Sequence, residues 1–381
     1  MQQFLAQASS NSSAASPPAS PQPRLRPQPR REPQHREREA PAAMADDHQE
    51  LARAFSGTHS SVVSMRANAD ANYHEGMGGL GVDETVLVSA LGRWRRQPEK
   101  RGQFRRSFPG FFSASACVGA GIELCEDEYV RHLKIEFSRF KSAMVLWAMH
   151  PWERDARWAH HVLHKAHPPA ILVEVACTRS ADELLGARRA YQALYHRSLE
   201  EDVAYRAKEA NANLLVGLVS AYRYEGPLVS EELAKEEAKA LGAAVKSASA
   251  SSAKLVHNEQ VVRVLATRSK PQLRATFRLY KELHGKPLEE DFAAEPCLEE
   301  VVKCLDSPAK YFAEVINGAF KDGADKQAKA ALTRAVVSRS DADMEEIKDA
   351  YAKQYGAKLA DAAAKNTHGH YKDALLAMIG K

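Results

Sequence analysis

Apolar side chains recur at helical spacing along most of the chain. In the segment after Ser180, the apolar positions are three or four residues apart: Leu184, Ala187, Tyr191, Leu194 and Tyr195. This spacing places an apolar stripe along one face of an α-helix. Alternating apolar and polar positions, which would indicate strands, are scarce. The pattern therefore predicts an all-α protein.

The helical pattern is repeated. Three segments share a Thr/Ser-Arg-Ser centre, and in each a tyrosine follows the arginine after twelve residues: VEVACTRSADELLGARRAY, VRVLATRSKPQLRATFRLY and TRAVVSRSDADMEEIKDAY. A fourth and weaker copy, TVLVSALGRWRRQPEKRGQF, has Arg93 at the position of the shared arginine. Self-similarity of this kind is the signature of a repeat architecture. We predict a tandem array of four helical units.

The serine after each shared arginine predicts a helix start. An acidic or amide side chain follows three residues later, as in a capping box, where the two side chains satisfy free backbone amides of the first turn. The pairs are Ser180 with Glu183, Ser269 with Gln272, and Ser340 with Asp343. We therefore expect one helix to end near each arginine and another to begin after the serine.

Composition separates a tail from a folded part. Residues 1–44 are rich in Pro, Ser and Arg and nearly free of large apolar side chains, which predicts disorder. Two interpretations of this tail stay open: an organelle transit peptide, or an extension upstream of a chain that begins at Met44. The predicted units occupy residues 45–150, 151–226, 227–306 and 307–381.

Charge and cysteine content exclude some functions. The net charge is +4, but residues 1–43 carry six arginines against three glutamates, so the folded part is nearly neutral. Bulk charge therefore does not favour nucleic acid or an anionic membrane as its partner. The five cysteines include no CxxC motif, which suits free thiols in a reducing compartment. No apolar run is long enough to span a membrane, and the N-terminal residues lack the charged-then-apolar order of a secretory signal, so we expect neither a membrane span nor export.

Several segments resemble the annexin family, and within it a divergent plant group. They are GLGVDE, LKIEFSRF, HPWERDAR, EVACTRSADELLGARRAY, GLVSAYRYEG and HYKDALLAMIG. The resemblance covers nearly everything after Met44. It implies a curved disc of four annexin repeats of about five helices each. It also implies loops on the convex face that bind Ca²⁺ and, through the ion, acidic phospholipid.

The resemblance implies one competent Ca²⁺ site, in the first repeat. The segment GMGGLGVDE would supply the backbone carbonyls of Met77, Gly79 and Gly81, and LKIEFSRF would supply the carboxylate of Glu136. Glycine permits the positive-φ turns that such a loop requires, and hard oxygen ligands suit Ca²⁺. The separation of loop and acid is longer than in the family, which predicts an insertion within residues 109–127.

The loop departs from the family pattern at two further positions. Val82 stands where threonine is usual, and Gly78 stands where lysine is usual, so a cation that could contact lipid headgroups is missing.

The other repeats have lost ligands by the same comparison. In the second, His167 and Pro168 replace loop residues, and Arg206 stands at the acidic position. In the third, Glu295 is near the acidic position, but SASASSAKLVHNEQ contains no glycine, so we expect the acid to have no loop to work with.

The fourth repeat is a weak candidate. Its loop would use Lys321, Asp322 and Gly323, and Asn366 replaces the acid. An amide oxygen binds Ca²⁺ without supplying charge.

Two other clusters carry alternative interpretations. His160, His161, His164 and His167 lie at helical spacing, which fits either a solvated histidine-rich surface or a metal site. The segment RWRRQPEKRGQFRR holds seven basic residues, which fits either a solvated surface or a binding site for actin, RNA or another acidic partner.

Two ion pairs are implied inside the disc. Asp155 and Arg179 match a central pair of the family. By the same comparison Trp158 stands where the acidic partner of Arg334 is expected, so we expect that second pair to be broken and a calcium-channel activity to be absent.

The sequence thus favours a cytoplasmic protein that binds acidic phospholipid membranes peripherally when Ca²⁺ is present, with self-association on the membrane left open. The alternative is a calcium-independent helical scaffold that binds protein or nucleic acid through the basic segment. Motifs of nucleotide-binding, hydrolytic and metalloprotease sites are absent from the sequence, so we expect no enzyme.

Overall fold

The computed structural model describes most of the chain after residue 47. The described ranges are 48–54, 84–107, 112–114, 123–125, 139–164, 169–207, 209–220 and 223–380. Residues Ala45–Lys381 form one compact unit. The tail predicted for residues 1–44 lies outside the described residues.

The predicted first repeat is described in part. Residues 48–54 are helical. Three helices and two short strands follow: α1 (Glu84–Trp94), α2 (Pro98–Ser107), β1 (Phe112–Ala114), β2 (Glu123–Cys125) and α3 (Arg139–Ala148).

Five described helices lie in each of the three ranges predicted as the later repeats. The second range holds α4 (Pro151–His164), α5 (Ala170–Thr178), α6 (Ala181–Tyr195), α7 (Leu199–Arg206) and α8 (Glu209–Ser220). The third holds α9 (Glu231–Ser251), a 3₁₀ turn (Leu255–His257), α10 (Glu259–Thr267), α11 (Lys270–His284), α12 (Leu288–Asp291) and α13 (Pro296–Asp306). The fourth holds α14 (Pro308–Phe320), α15 (Lys326–Arg339), α16 (Met344–Tyr355), α17 (Leu359–Asn366) and α18 (Gly369–Ile379).

Two of the three predicted capping serines act as N-caps. Ser180 accepts a hydrogen bond from the amide of Glu183, whose carboxylate accepts one from the amide of Ser180, so the capping box of α6 is complete. Ser269 caps α11 by accepting a hydrogen bond from the amide of Gln272. The Gln272 side chain, however, bonds the backbone of Ser230 instead of returning to Ser269.

The third predicted cap is wrong. Ser340 adopts helical angles (φ −54°, ψ −34°) at the end of α15, and its hydroxyl donates to the carbonyl of Val337. Helix α16 begins later, at Met344, after an Asp343 whose side chain makes no capping bond. The Asp343 carboxylate instead accepts a hydrogen bond of 2.6 Å from Arg339. The Asp343 carboxylate is therefore bound to Arg339 and does not form the predicted capping box.

Helix packing follows the repeat. The first helix packs on the third in each of the last three ranges: α4 on α6, α9 on α11, and α14 on α16. Second and fifth helices of different repeats pack on one another. Helix α5 packs on α13 and α8 on α10, which joins the second and third repeats; α1 packs on α18 and α3 on α15, which joins the first and fourth.

The core runs through all four repeats. Trp94, Trp147, Tyr191, Phe292 and Phe312 are among its largest fully buried side chains. Burial of such apolar side chains is the main stabilising contribution, roughly 25 cal/mol for each Å² removed from water.

The two strands lie within the predicted insertion. They pair antiparallel, with Phe112 opposite Cys125. The amide of Cys125 donates to the carboxylate of Glu153 on α4 at 3.0 Å, and Arg157 donates to the carbonyl of Cys125 at 3.0 Å. These bonds attach the described part of the insertion to the second repeat. The strand pair is a small local exception to the all-α fold.

Among the described residues, no helix has the length and apolar character needed to cross a bilayer. The four described cysteines are buried thiols outside any disulfide, as expected: Cys125, Cys177, Cys297 and Cys304.

Candidate calcium loops and charged clusters

The loop and acid positions recur at equivalent places in the repeats. The position predicted for the acid lies three residues before the fifth helix in three cases: Arg206 before α8, Asn366 before α18, and Glu136 before α3. In the third repeat, Glu295 lies one residue before α13. The loop in each case ends where the second helix begins.

In the third repeat the acid and the loop are in direct contact. The Glu295 carboxylate accepts hydrogen bonds from the amides of Leu255 at 2.5 Å and Val256 at 3.1 Å. Asn258 then caps α10 by accepting hydrogen bonds from the amides of Gln260 and Val261. The expectation that Glu295 has no loop to work with is therefore wrong.

The groups that Glu295 bonds are nevertheless not the ones that a calcium site uses. Glu295 binds the amides of the loop directly, whereas a calcium loop offers its carbonyls to an ion that the acid also binds. A carboxylate accepts hydrogen bonds from backbone amides whether or not the loop contains glycine. The glycine content of the loop therefore does not predict this contact. The position of Glu295 immediately before a helix that starts with proline is the signal that could have indicated it.

The loop candidates of the fourth repeat, Lys321, Asp322 and Gly323, form a turn in which one backbone carbonyl already accepts a hydrogen bond. Gly323 has a φ of +78°, as a tight loop requires. The carbonyl of Lys321 accepts a hydrogen bond from the amide of Ala324 at 3.1 Å. Asp322 is exposed beside it.

Asn366 is bound to its own helix. Its amide group donates to the carbonyl of Ala362 at 2.8 Å, one turn earlier in α17. The hydrogen bonds of the described residues do not bring Asn366 and the 321–323 turn together, and no set of three or more His, Cys, Asp or Glu side chains within them is placed to hold a metal.

The second repeat presents a cation at its acidic position. The Arg206 guanidinium lies 3.7 Å from the Asp202 carboxylate and over the ring of Tyr205, at 5.8 Å from its centroid. Tyr205 is 79% exposed. The loop residues His167 and Pro168 lie outside the described residues. The positive charge of Arg206 opposes a Ca²⁺ ion at this position.

The first-repeat ligands lie outside the described residues: Met77, Gly79, Gly81 and Glu136. The structure does describe the helices that follow them. Helix α1 begins at Glu84, directly after the glycine-rich segment, and α3 begins at Arg139.

Three histidines of the cluster lie on α4. The rings of His160 and His164 stack at a centroid distance of 3.7 Å, and His160 also stacks on Tyr195 at 3.8 Å. Burial, and then the charge of His164, lower the pKa of His160 to about 4. His160 is therefore neutral near pH 7 and packs as an aromatic ring. His167 lies outside the described residues.

The basic segment faces acids of the fourth repeat. Arg95 and Arg96 each donate to the Glu345 carboxylate at 2.8 Å. The amide of Arg96 donates to Asp341 at 2.9 Å, and the Arg101 guanidinium pairs with Asp341 as well. These contacts connect the segment between α1 and α2 to the start of α16.

The remaining arginines of the segment also meet carboxylates. Arg105 and Arg106 lie 3.4 Å and 3.6 Å from Glu123 on β2, and Arg93 lies 3.6 Å from Glu50. A surface that recruits an acidic partner offers cations to solvent. Here most of the cations are neutralised within the chain, which argues against the basic segment as a binding site for nucleic acid or actin.

Both central ion pairs are present. Arg179 donates two hydrogen bonds to Asp155, at 2.6 and 2.8 Å. Arg334 donates two to Glu174, both at 2.7 Å, so the expectation of a broken second pair is wrong. Burial would lower the pKa of Arg334, but the Glu174 carboxylate raises it. Trp158 instead lies under the guanidinium of Arg154, at 5.5 Å.

Known proteins are similar to this chain in sequence. The family model described as Annexin matches residues 237–296 and 311–378. Annexin D4 of Arabidopsis thaliana is 44% identical over 306 residues, which cover 80% of this chain and 94% of the relative. Annexin Gh1 of Gossypium hirsutum is 37% identical over 310 residues, which cover 79% and 91%.

Solved structures agree. Chicken annexin V, solved in complex with Zn²⁺, is 26% identical and has a TM-score of 0.64, with 85% of this chain and 96% of that chain covered. A mutant of annexin A8 is 26% identical and has a TM-score of 0.62, with 86% and 97% covered. The fold is therefore the four-repeat, all-α fold of annexins, and the chain, which resembles plant annexins, belongs to the annexin family.

Proposed function

We propose that this protein binds acidic phospholipid surfaces reversibly through one Ca²⁺ ion in its first repeat. The ion would be held by the carbonyls of Met77, Gly79 and Gly81 and by the carboxylate of Glu136. Membership of the annexin family supports calcium-dependent phospholipid binding as the general activity. The particular residues are our proposal.

The contact between Glu295 and its loop is the observation that carries the proposal. It brings together the segment before the second helix and the acid before the fifth helix of one repeat. Glu136 also precedes the fifth helix of its repeat, by three residues where Glu295 precedes α13 by one, and the glycine-rich segment precedes α1 as the contacted loop precedes α10. Repeats of one fold place equivalent positions alike. We therefore infer that Glu136 faces the loop that contains Gly79.

The chemistry of the donor set fits calcium. Three carbonyls and a carboxylate are hard oxygen ligands, and Ca²⁺ takes six to eight of them, so positions remain for water or lipid phosphate oxygens. The folded part of the chain has almost no excess charge, so the ion supplies the attraction to an anionic surface. By linkage, Ca²⁺ and lipid then each tighten the binding of the other.

The same argument limits the number of strong sites. The Glu295 carboxylate accepts hydrogen bonds from loop amides, Arg206 is a cation, and Asn366 supplies no charge. The turn at Lys321, Asp322 and Gly323 remains a weak candidate. Peripheral membrane association from the cytoplasm follows as part of the proposal, and self-association on the membrane is a further expectation.

Co-sedimentation with phosphatidylserine vesicles tests the proposal. We expect the full chain to pellet as Ca²⁺ is raised and to return to the supernatant with chelator. Glu136→Gln removes the only charged ligand, and we expect it to raise the Ca²⁺ concentration for half-maximal pelleting roughly tenfold or more.

Glu295→Gln is the matched control, because it makes the same chemical change at the equivalent position of the third repeat. It should leave the calcium dependence unchanged, with folding checked by circular dichroism. Pelleting that persists in chelator, or equal calcium dependence of Glu136→Gln and the unaltered chain, would show the proposal to be wrong.

A further inference from the structure

The last two residues of α7 place an exposed ring beside a cation. They are Tyr205 and Arg206, and the Arg206 guanidinium lies 5.8 Å from the ring centroid of Tyr205. Tyr205 is 79% exposed, more than any other large apolar side chain that the structure describes, and the Arg206 side chain is 29% exposed. The C-terminal end of α7 therefore offers both an aromatic ring and a positive charge to its surroundings.

Both residues lie at the loop end of the second repeat. Arg206 is three residues before α8, the place that Glu136 holds before α3 in the first repeat. In the third repeat, Glu295 precedes the fifth helix by one residue and contacts the loop before the second helix. Repeats of one fold place equivalent positions alike. Tyr205 and Arg206 are therefore on the same side of the molecule as the proposed calcium site.

The positive charge of Arg206 is only partly matched. Its one ion pair among the described residues is with Asp202, at 3.7 Å, a separation too long for a hydrogen bond. The same carboxylate lies 3.4 Å from Arg197 and accepts a hydrogen bond of 2.6 Å from the hydroxyl of Tyr191. Two arginines therefore share one carboxylate, which leaves one unit of positive charge.

The other acids of α7 do not remove that charge. Glu200 and Glu201 lie in the first turn of the helix, and Glu200 is paired with Arg188. Arg206 lies in the last turn, further along the helix axis than Glu201 by about 7 Å. The acids are therefore at the end of α7 that is away from the loop, and the cation is at the loop end.

The two side chains suit a phospholipid surface without an ion between them. Arginine forms charge-assisted, often paired hydrogen bonds with phosphate oxygens, and its charge does not depend on pH near neutrality. A tyrosine ring suits the headgroup layer of a bilayer, where its apolar body and its hydroxyl both find partners. A fixed guanidinium thus stands in the second repeat where the first repeat is proposed to use an ion.

We propose that Tyr205 and Arg206 form a second contact with the phospholipid surface, one that does not use Ca²⁺. Arg206 donates to a lipid phosphate oxygen, and Tyr205 enters the headgroup layer. This inference rests on the proposed function, which brings this side of the molecule to the lipid. One arginine near an anionic surface strengthens binding only about fivefold. The contact therefore adds to the calcium-dependent binding and does not hold the protein on vesicles in chelator.

Titration of the full chain with phosphatidylserine vesicles at saturating Ca²⁺ tests this contact. We expect Arg206→Gln to raise the lipid concentration for half-maximal binding about fivefold at low salt, and by less at high salt, because salt screens exposed charges. Arg197→Gln is the matched control. It removes the same charge from the same Asp202 carboxylate, but Arg197 lies before the start of α7, away from the loop end. It should bind vesicles as the unaltered chain does.

Tyr205→Trp gives a second readout, because it places a fluorescent ring at the proposed contact. We expect its emission, relative to the unaltered chain, to shift to shorter wavelength when vesicles and Ca²⁺ are added and to return with chelator. Leu228→Trp is the control. Leu228 is 75% exposed, but it lies two residues before Ser230, which bonds Gln272 at the start of α11, away from the loop end of the third repeat. It should show no shift.

The readouts separate this contact from the calcium site. Glu136→Gln is expected to change the Ca²⁺ concentration that pelleting requires, whereas Arg206→Gln changes the lipid concentration at saturating Ca²⁺. Equal binding by Arg206→Gln and Arg197→Gln, or an unshifted emission of Tyr205→Trp on vesicles, would overturn the second-repeat contact alone. A clear difference between the two arginine variants in a chain that needs no Ca²⁺ would support the contact and overturn the calcium site.

Discussion

Glu300 is a carboxyl group without a matching charge. It is partly buried on α13, and among the described residues it has no ion pair or hydrogen bond. Burial, and then the charge of Glu174 on α5, raise its pKa to about 7. The groups that affect it come from four helices: Glu174, Glu299, Lys303, Tyr311 and Arg334. Near neutral pH this carboxyl therefore holds its proton part of the time.

The raised pKa predicts a pH-dependent stability. The folded state holds the Glu300 proton up to about pH 7, whereas a carboxyl of ordinary pKa 4.5 loses it earlier. The folded state thus binds more protons in this window, so the free energy of unfolding falls as pH rises from about 4.5 to 7. We expect Glu300→Gln to be more stable than the unaltered chain at pH 8, by about 2 kcal/mol, and equally stable at pH 4, where the carboxyl is protonated in both states. Urea unfolding at both pH values measures this.

Glu299→Gln serves as the control. Glu299 is the residue before Glu300, but its carboxylate is paired with Lys303 at 2.7 Å. It should not reproduce the gain at pH 8. A Glu300→Gln variant with the same pH dependence as the unaltered chain would contradict the prediction.

Two predictions about the partners of single charged residues were wrong. The residue types at the expected ligand positions predicted that Glu295 would have no loop to contact and that Arg334 would have no acidic partner. Both side chains have partners far away in the sequence. Glu295 bonds Leu255, which is 40 residues away, and Arg334 bonds Glu174, which is 160 residues away. A side chain's partner depends on which helices pack together, and spacing along the chain does not reveal that.

Helices and their ends followed the sequence closely. The apolar spacing after Ser180 predicted α6, and the capping box predicted its start. The same pattern at Ser340 failed because Arg339 binds Asp343 and because Ser340, as the residue that ends α15, keeps helical backbone angles. A local signal holds when no tertiary contact takes its side chain.

This difference predicts different effects of one substitution. Ser180→Ala removes a hydroxyl that caps α6 and should lower the free energy of unfolding by about 1 kcal/mol. Ser340→Ala removes a hydroxyl that bonds one carbonyl within a helix and should cost less than half as much. Urea unfolding of both variants checks the comparison; equal losses would mean that Ser340 acts as a cap in solution.

The whole molecule is organised as two pairs of repeats. Reciprocal contacts of second and fifth helices join the second repeat to the third and the first to the fourth. The pair of Glu174 on α5 and Arg334 on α15 links the second repeat to the fourth. Tyr311 supports it by donating to Glu174 at 3.1 Å. One buried ion pair thus connects the two halves.

Breaking this link should be costly. Glu174 and Arg334 side chains are 3% and 11% exposed, so either variant, Glu174→Gln or Arg334→Gln, leaves a charge without its counter-ion. We expect each to lower the free energy of unfolding by about 3 kcal/mol or more. The double variant should lose less than the sum of the two, because the second change removes a charge already left unpaired. Additive losses in urea unfolding would refute a direct coupling.

The amino-acid sequence by itself determined the helical class, the four-unit repeat and two of the three caps, because these depend on residues within a few turns of one another. It also indicated the family and one candidate calcium loop. Only the tertiary structure decided the partners of the charges. The basic segment binds Asp341 and Glu345, Glu295 binds loop amides, and Arg334 binds Glu174. Packing brings these distant groups together, and a charge buried by packing is stable only with a partner.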